Sequence, residues 1–238
     1  GPFSAPEAER YVELVLRALD CWGKALGRRA GETVYIGGGT PSLLTPAQIG
    51  AILEGVASRF DLEAGAEITL EANPESALKA GFLAAVRSLG VNRLSLGVQS
   101  LRDDLLAMLG RPHDAGQARR AVAAARDAGF DNLSLDLIWG LPGQDADGLM
   151  RDLEEAVRMG PEHLSCYGLS LEDGAPLSAR VRRGEMSMPD EDTAARMYLD
   201  GSACLEACAG GFIGYIMEEQ SRPLSQRRDR PLVGERRP

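Results

Sequence analysis

The apolar positions of the chain fall into two alternating rhythms. Val12, Val15, Leu16, Leu19 and Leu26 recur at helical spacing behind Ser4 and Glu7, which stand as a capping box, and Gly27 suits the helix stop. Thr33-Val34-Tyr35-Ile36 follows as a short β-rich run that ends in Gly37-Gly38-Gly39-Thr40. A second helix then opens on Thr45 as N-cap, Pro46 in the first helical position and Gln48 closing the box. Ile68-Thr69-Leu70-Glu71 predicts the next strand, and Leu78, Phe82, Leu83, Val86 and Leu89 predict one helix behind it.

The same unit then repeats. Gly90-Val91-Asn92-Arg93-Leu94-Ser95-Leu96, Gly129-Phe130-Asp131-Asn132-Leu133-Ser134-Leu135 and Gly160-Pro161-Glu162-His163-Leu164-Ser165-Cys166 each set a helix-stopping glycine ahead of a Leu-Ser strand. Successive βα units imply parallel strands, so a partial (β/α) barrel and a doubly wound sheet are both compatible. Strand alternation puts Leu94, Leu96, Val98, Leu133, Leu135 and Leu137 on one face, toward the helices. Ser95, Gly97, Gln99, Ser134, Asp136 and Ile138 take the other, which is small and polar enough to border a ligand space. That face favours the barrel. Beyond Pro189, Asp190-Glu191-Asp192 opens a last helix through Met197, Leu199 and Leu205 to Gly210-Gly211, and after Tyr215 the periodicity ends. The expected organisation is an α/β partial parallel barrel over 1–215 and a disordered, divergent tail over 216–238.

Composition narrows the function. The net charge of −9 argues against general nucleic-acid binding, although the charge is uneven: six arginines against Asp229 and Glu235 make 221–238 +4 and leave −13 on the body. No apolar run is long enough to span a membrane. Cys21, Cys166, Cys204 and Cys208 are too sparse for a disulfide framework, which fits a reducing cytoplasm. The chain opens Gly1-Pro2 without Met, which we read as a processed product or a fragment.

Candidate chemistry gathers where the strands end. Glycines 37–39 let backbone groups approach a ligand closely, or make a tight turn; the Gly-Lys-Ser/Thr of a phosphate loop is absent. Glu71 and Asn73 share a strand face, and the carboxylate would suit ribose hydroxyls, an ammonium group or a neighbouring loop. Gln99, Asp136 and Tyr167 fall at further strand ends, where parallel α/β proteins bind ligands. Arg111 could clamp a carboxylate through two hydrogen bonds or lie solvated at a helix entry. His113 and His163 have no second histidine or cysteine pair at zinc spacing, and Cys204 with Cys208 suits a helix core better than a metal site.

These motifs, in this order, resemble one family. Tyr35 to Ser42, Glu71-Ala72-Asn73-Pro74, Asn92 to Ser100, Gly110-Arg111-Pro112-His113, Asp136 to Gln144 and His163 to Tyr167 are similar to segments of the radical S-adenosylmethionine proteins typified by the HemW-like heme chaperones and the oxygen-independent coproporphyrinogen III oxidases. The resemblance covers about residues 7–215. It implies a six-stranded partial barrel whose first strand leads into a Cys-x3-Cys-x2-Cys loop holding a 4Fe–4S cluster and S-adenosylmethionine. It further implies that Gly38, Gly39 and Thr40 contact the methionyl part of that cofactor, and that Glu71, Gln99, Arg111 and Asp136 line the rest of its site.

Two departures accompany the resemblance. The family's first strand and cluster cysteines have no counterpart here, and a strand like Thr33–Ile36 would be left with a free edge. After Gly211-Phe212-Ile213-Gly214-Tyr215 the family's next strand, its His-Asn-x-x-Tyr-Trp motif and its C-terminal domain give way to the Arg-rich segment. Three functions follow as expectations. The leading one is the core of a protein that binds heme and delivers it to a hemoprotein acceptor. The second is an oxidase that decarboxylates a porphyrinogen, and the third is a cluster-free nucleoside-binding module.

Overall fold

A computed structural model describes residues 4–207 and, for the backbone alone, residues 213–217. Helix α1 (Ala5–Leu26) starts where the capping box predicts, with the Ser4 N–H donating to the Glu7 carboxylate at 2.8 Å. Strand β1 (Ala30–Ile36) leads through a short 3-10 turn, Pro41–Leu43, into α2 (Pro46–Ala57). The Thr45 hydroxyl accepts from the Gln48 N–H at the head of α2, as the sequence predicts. Strand β2 runs Asp61–Ala72, well beyond the four residues whose alternation marks it. Its first half is mostly exposed, and its start pairs with Ala30 and Gly31 at the rim, so it needs no buried side to stay extended.

The single helix expected behind β2 is two. Asn73-Pro74 starts α3 (Pro74–Ala77) and left-handed Gly81 starts α4 (Phe82–Ser88), so Leu78 closes the first piece instead of opening a longer one. Then come β3 (Arg93–Gln99), α5 (Asp103–Met108), α6 (Ala115–Asp127), β4 (Leu133–Trp139), α7 (Ala146–Arg158), β5 (His163–Gly168), α8 (Pro176–Arg182), α9 (Glu191–Ala207) and β6 (Ile213–Met217). Strand β6 continues two residues past the expected boundary at 215; residues 218–238, like 208–212, lie outside the described residues.

The strands are all parallel and stand in the order β1-β2-β3-β4-β5-β6. A doubly wound sheet reverses its order at a switch point, and this one never does, so the winding is that of a partial barrel. Among the described strands β1 pairs only with β2. The repeated signatures explain the regular stacking. Gly90, Gly129 and Gly160 all have positive φ (100°, 83° and 67°), which stops each helix and turns the chain into the next strand. Polar residues just after two of these glycines fasten the new strand to its predecessor. The Asn92 amide accepts from the Ile68 N–H and donates to the Ala66 carbonyl, both at 2.8 Å, and Glu162 accepts from the Leu133 N–H at 2.8 Å.

The two faces separate as the alternation predicts. Leu94, Leu96, Val98, Leu133, Leu135 and Leu137 are at most 1% exposed and join one apolar core with the helices. On the helix side, Ala115, Ala118, Ala121 and Ala125 give α6 a small-residue stripe that lets it sit close to the sheet. Leu135 belongs to the fourth of six strands, so truncating it leaves a hole that little can fill. Leu135→Ala is expected to cost about 2–5 kcal/mol, read as a lower urea midpoint at unchanged slope.

Candidate functional site

The register that stacks the leucines on one side stacks the polar residues on the other. Glu71 pairs with Ser95, Gly97 with Asp136, Asp136 with Ser165 and Ile138 with Tyr167, so these residues share the inner face of four neighbouring strands. Their C-terminal ends converge, and the loops after β1, β2 and β3 meet there.

The Glu71 carboxylate ties two of these strand ends together. One oxygen accepts from the Gly38 N–H at 2.8 Å and the other from the Tyr35 hydroxyl at 2.6 Å. Burial and this carboxylate raise the Tyr35 phenol well above its ordinary range, so it remains a donor. A Cβ at Gly37 would meet the Glu71 carboxylate at 2.8 Å, so the first glycine of the loop is there for close approach. Gly38 and Gly39 differ. Both have positive φ (86° and 65°), and no atom lies within 4 Å of where a Cβ would stand, so their backbone faces open space. Thr40 follows, its hydroxyl within 3.4 Å of the Asn73 amide, and Asn73 in turn donates its N–H to Ser42 at 3.3 Å and Ser76 at 3.2 Å.

Asp136 is the deep acid. Its carboxylate accepts from Ser95 at 2.8 Å. Burial is the main influence that pushes its pKa up, opposed by the Ser95 hydrogen bond and reinforced by the charge of Glu71. Gln99, at the end of β3, has a φ of 68°, the one positive value at a non-glycine among the described residues. It follows a register shift between Gly97 and Gln99, and its amide nitrogen lies 2.6 Å from where a Gly97 Cβ would be.

Arg111 enters from the loop after α5. It is half-buried and has no ion-pair partner among the described residues; burial lowers its pKa, and Glu75 is the acid that opposes this. Hydrogen bonds thus link Gly38, Glu71 and Tyr35, and separately Thr40 with Asn73 and Asp136 with Ser95. Gln99 sits against Gly97 beside them, and Arg111 stands outside the hydrogen-bonded set.

Tyr35 is a partner that sequence reasoning missed, and Ser95, placed on the polar face by its alternation, was not read as the partner of Asp136. The signal for both is strand parity: Tyr35 is two residues before Gly37, and Ser95 is the register partner of Glu71. Tyr167 ends β5 on the same face, partly exposed. At the other end of that face a polar cleft of about 530 Å³ is lined by Glu67, Arg93, Asp131, Asn132, Glu162 and His163. Burial lowers the His163 pKa, and Ser134 lies 2.8 Å from its Nδ1. The N-terminal ends of barrel strands are ordinarily the structural ends.

The donor set fits a small zwitterionic nucleoside such as S-adenosylmethionine. Glu71 and Asp136 suit hydroxyl or ammonium donors, unpaired Arg111 suits a carboxylate, and the open backbone of Gly38 and Gly39 suits a close-lying chain. Among the described residues, the cysteines are not gathered as a 4Fe–4S cluster requires. Cys21 is exposed on α1, and the buried Cys166 has its thiol pushed up to about 12, opposite to what a thiolate ligand needs. No group of three or more candidate metal ligands forms among the described residues, and no described helix is long and apolar enough to cross a membrane.

Residues 5–156 match the radical SAM superfamily. The chain is 42% identical over 211 residues to the heme chaperone HemW of Mycobacterium tuberculosis, covering 88% of this chain and 53% of that protein. It is 46% identical over 191 residues to the mitochondrial radical S-adenosyl methionine domain-containing protein 1 of Mus musculus, covering 80% and 42%. The solved coproporphyrinogen III oxidase (HemN) of Escherichia coli shares the fold, with a TM-score of 0.73 at 24% identity, over 84% of this chain and 46% of that one. The chain spans about half the length of the curated relatives it matches. With the family match over most of its length, this chain belongs to the radical SAM superfamily, and within it the chain is similar to the heme chaperone HemW.

Proposed function

We propose that this chain is the barrel core of a heme chaperone, which binds S-adenosylmethionine across the C-terminal strand ends and, as a full-length protein, carries heme to hemoproteins. The observation that carries the first part is the Glu71 carboxylate, held by Gly38 and Tyr35 beneath an open glycine backbone. Heme delivery is supported by the similarity to heme chaperone HemW at 42% identity. In the superfamily the cluster and S-adenosylmethionine together supply radical chemistry. Here the residues' own work is to bind and orient: Gly38, Gly39 and Thr40 hold the methionyl end and Arg111 its carboxylate, while Glu71, Gln99 and Asp136 hold the nucleoside.

Two experiments test the two parts. In a chain extended at its N-terminus by a Cys-x3-Cys-x2-Cys strand and reconstituted anaerobically, calorimetry should detect S-adenosylmethionine binding. Glu71→Ala should weaken it by about 1–3 kcal/mol, the worth of a hydrogen bond to a charged group, with iron and sulfide content unchanged. Equal affinity in both proteins would make Glu71 structural and overturn the assignment. For the second part, a full-length HemW-like protein containing this core should bind hemin stoichiometrically and pass it to an apo-hemoprotein, followed in the Soret band. Formation of decarboxylated porphyrin without heme transfer would establish the oxidase instead.

Asp136 gives a third test. Its folded-state pKa is raised, so the folded protein binds a proton that the unfolded chain releases, and stability falls as pH rises from the ordinary carboxylate value through the raised one. Asp136→Asn keeps an acceptor for Ser95 and removes the buried charge. It should stabilise the protein at pH 7 by about 1 kcal/mol, flatten the loss of stability above pH 4, and weaken S-adenosylmethionine binding, as measured by thermal melts across pH and by calorimetry.

A further inference from the structure

The chain between Val98 and Leu101 is gripped from outside the sheet. The Ser100 N–H donates to the Val98 carbonyl at 2.9 Å, closing a three-residue turn around Gln99, whose φ of 68° belongs to the rare, strained hand of that turn. Two side chains from other elements hold it. His113 donates from Nε2 to the same Val98 carbonyl at 3.1 Å, and its side chain is 1% exposed. Asp152, from α7, accepts from the Ser100 hydroxyl at 2.7 Å and from the Leu101 N–H at 3.2 Å. Burial raises the Asp152 pKa, so the acid sits there at a cost that its two donors reduce. Glu75 lies against the far side of the imidazole, its Oε2 3.7 Å from Nδ1, and neither atom has a hydrogen-bond partner among the described residues.

The turn has a definite result. It brings the Gln99 amide back over Gly97, into the space a Cβ there would fill, with the Asn73 side-chain oxygen 3.2 Å from the same point. Ordinary strand alternation would not require the strained φ. Left-handed backbone at a non-glycine persists only where surrounding contacts over-determine it, and four hydrogen bonds do so here.

We propose that His113 and Asp152 are positioning residues, which clamp the Val98–Leu101 turn from two sides and so hold the Gln99 amide on the ligand face. The idea rests on Gln99 facing a ligand, as in the function proposed above. One arm of the test is independent of that.

In the full 238-residue chain, the Gln99 Cα and Cβ carbon shifts report its φ directly. They should keep their left-handed values in His113→Gln, which retains a terminal N–H donor, and lose them in His113→Leu. Ser100→Ala, a milder change that removes one of the donors to Asp152, should shift them part of the way, and it carries this arm if His113→Leu fails to fold. Unchanged shifts in the folded variants would overturn the clamp, whatever the ligand does. The second arm uses S-adenosylmethionine and the cluster-bearing extended chain. Ser100→Ala should weaken binding by about tenfold in the wild-type background and by less than about twofold beside Gln99→Gly, where no amide remains to be positioned. Equal losses in both backgrounds would make the clamp merely structural. Absence of binding in the parent protein would defeat the function proposed above and leave the carbon shifts to decide this inference.

Discussion

The Glu71 carboxylate is the point at which sheet and loop become one object. Strand pairing fixes β1 against β2 only as far as Ile36 and Leu70, and beyond that the backbone of the glycine loop has no ladder to follow. Glu71 replaces the ladder with a charged acceptor that takes the Gly38 N–H and the Tyr35 hydroxyl. Charge-assisted hydrogen bonds of this kind are about twice as strong as neutral ones, which is enough to fix a loop of three glycines that would otherwise sample many shapes. The geometry of Thr40 and Asn73 then follows, because both sit on chain that leaves the two strands just joined.

A second demand follows from putting acids on the inside of a sheet. Burial, reinforced by the charge of Glu71, moves the pKa of Asp136 up. Ser95, Ser134 and Ser165 line the same face and are themselves buried. The hydroxyls offset part of the desolvation without adding bulk, so the face stays small and polar while the opposite face is filled with leucine. One strand thus carries two incompatible solvents, separated by the period of two that β geometry imposes.

Much of this was legible in the sequence. The three Gly…Leu-Ser signatures located β3, β4 and β5 because each combines a left-handed stop with a clean apolar alternation, and Ser4 and Thr45 marked helix starts by side-chain chemistry alone. The start of β2 was not legible, since Asp61–Ala66 has no buried face and is tied to β1 only through Asp61 and Leu62. The break between α3 and α4 was hidden because Leu78 and Phe82 keep helical spacing across it. In the site, motif order brought out Glu71, Gln99, Arg111 and Asp136. The φ of Gln99 was invisible, because it is dictated by His113 and Asp152, which are far from it in the chain. Tertiary contacts of that kind leave no local trace.

The strictly sequential strand order also has a kinetic side. Each βα unit finds its sheet neighbour in the unit made just before it, so no strand must wait for a distant partner to close a long loop. During synthesis the chain can therefore lay down the sheet one strand at a time as it emerges, burying each leucine face under its own helix before the next arrives. Parallel sheets whose order reverses must hold an unpaired edge open until later segments return to cover it. Here the growing edge is always the newest strand, and the nascent chain is its own template.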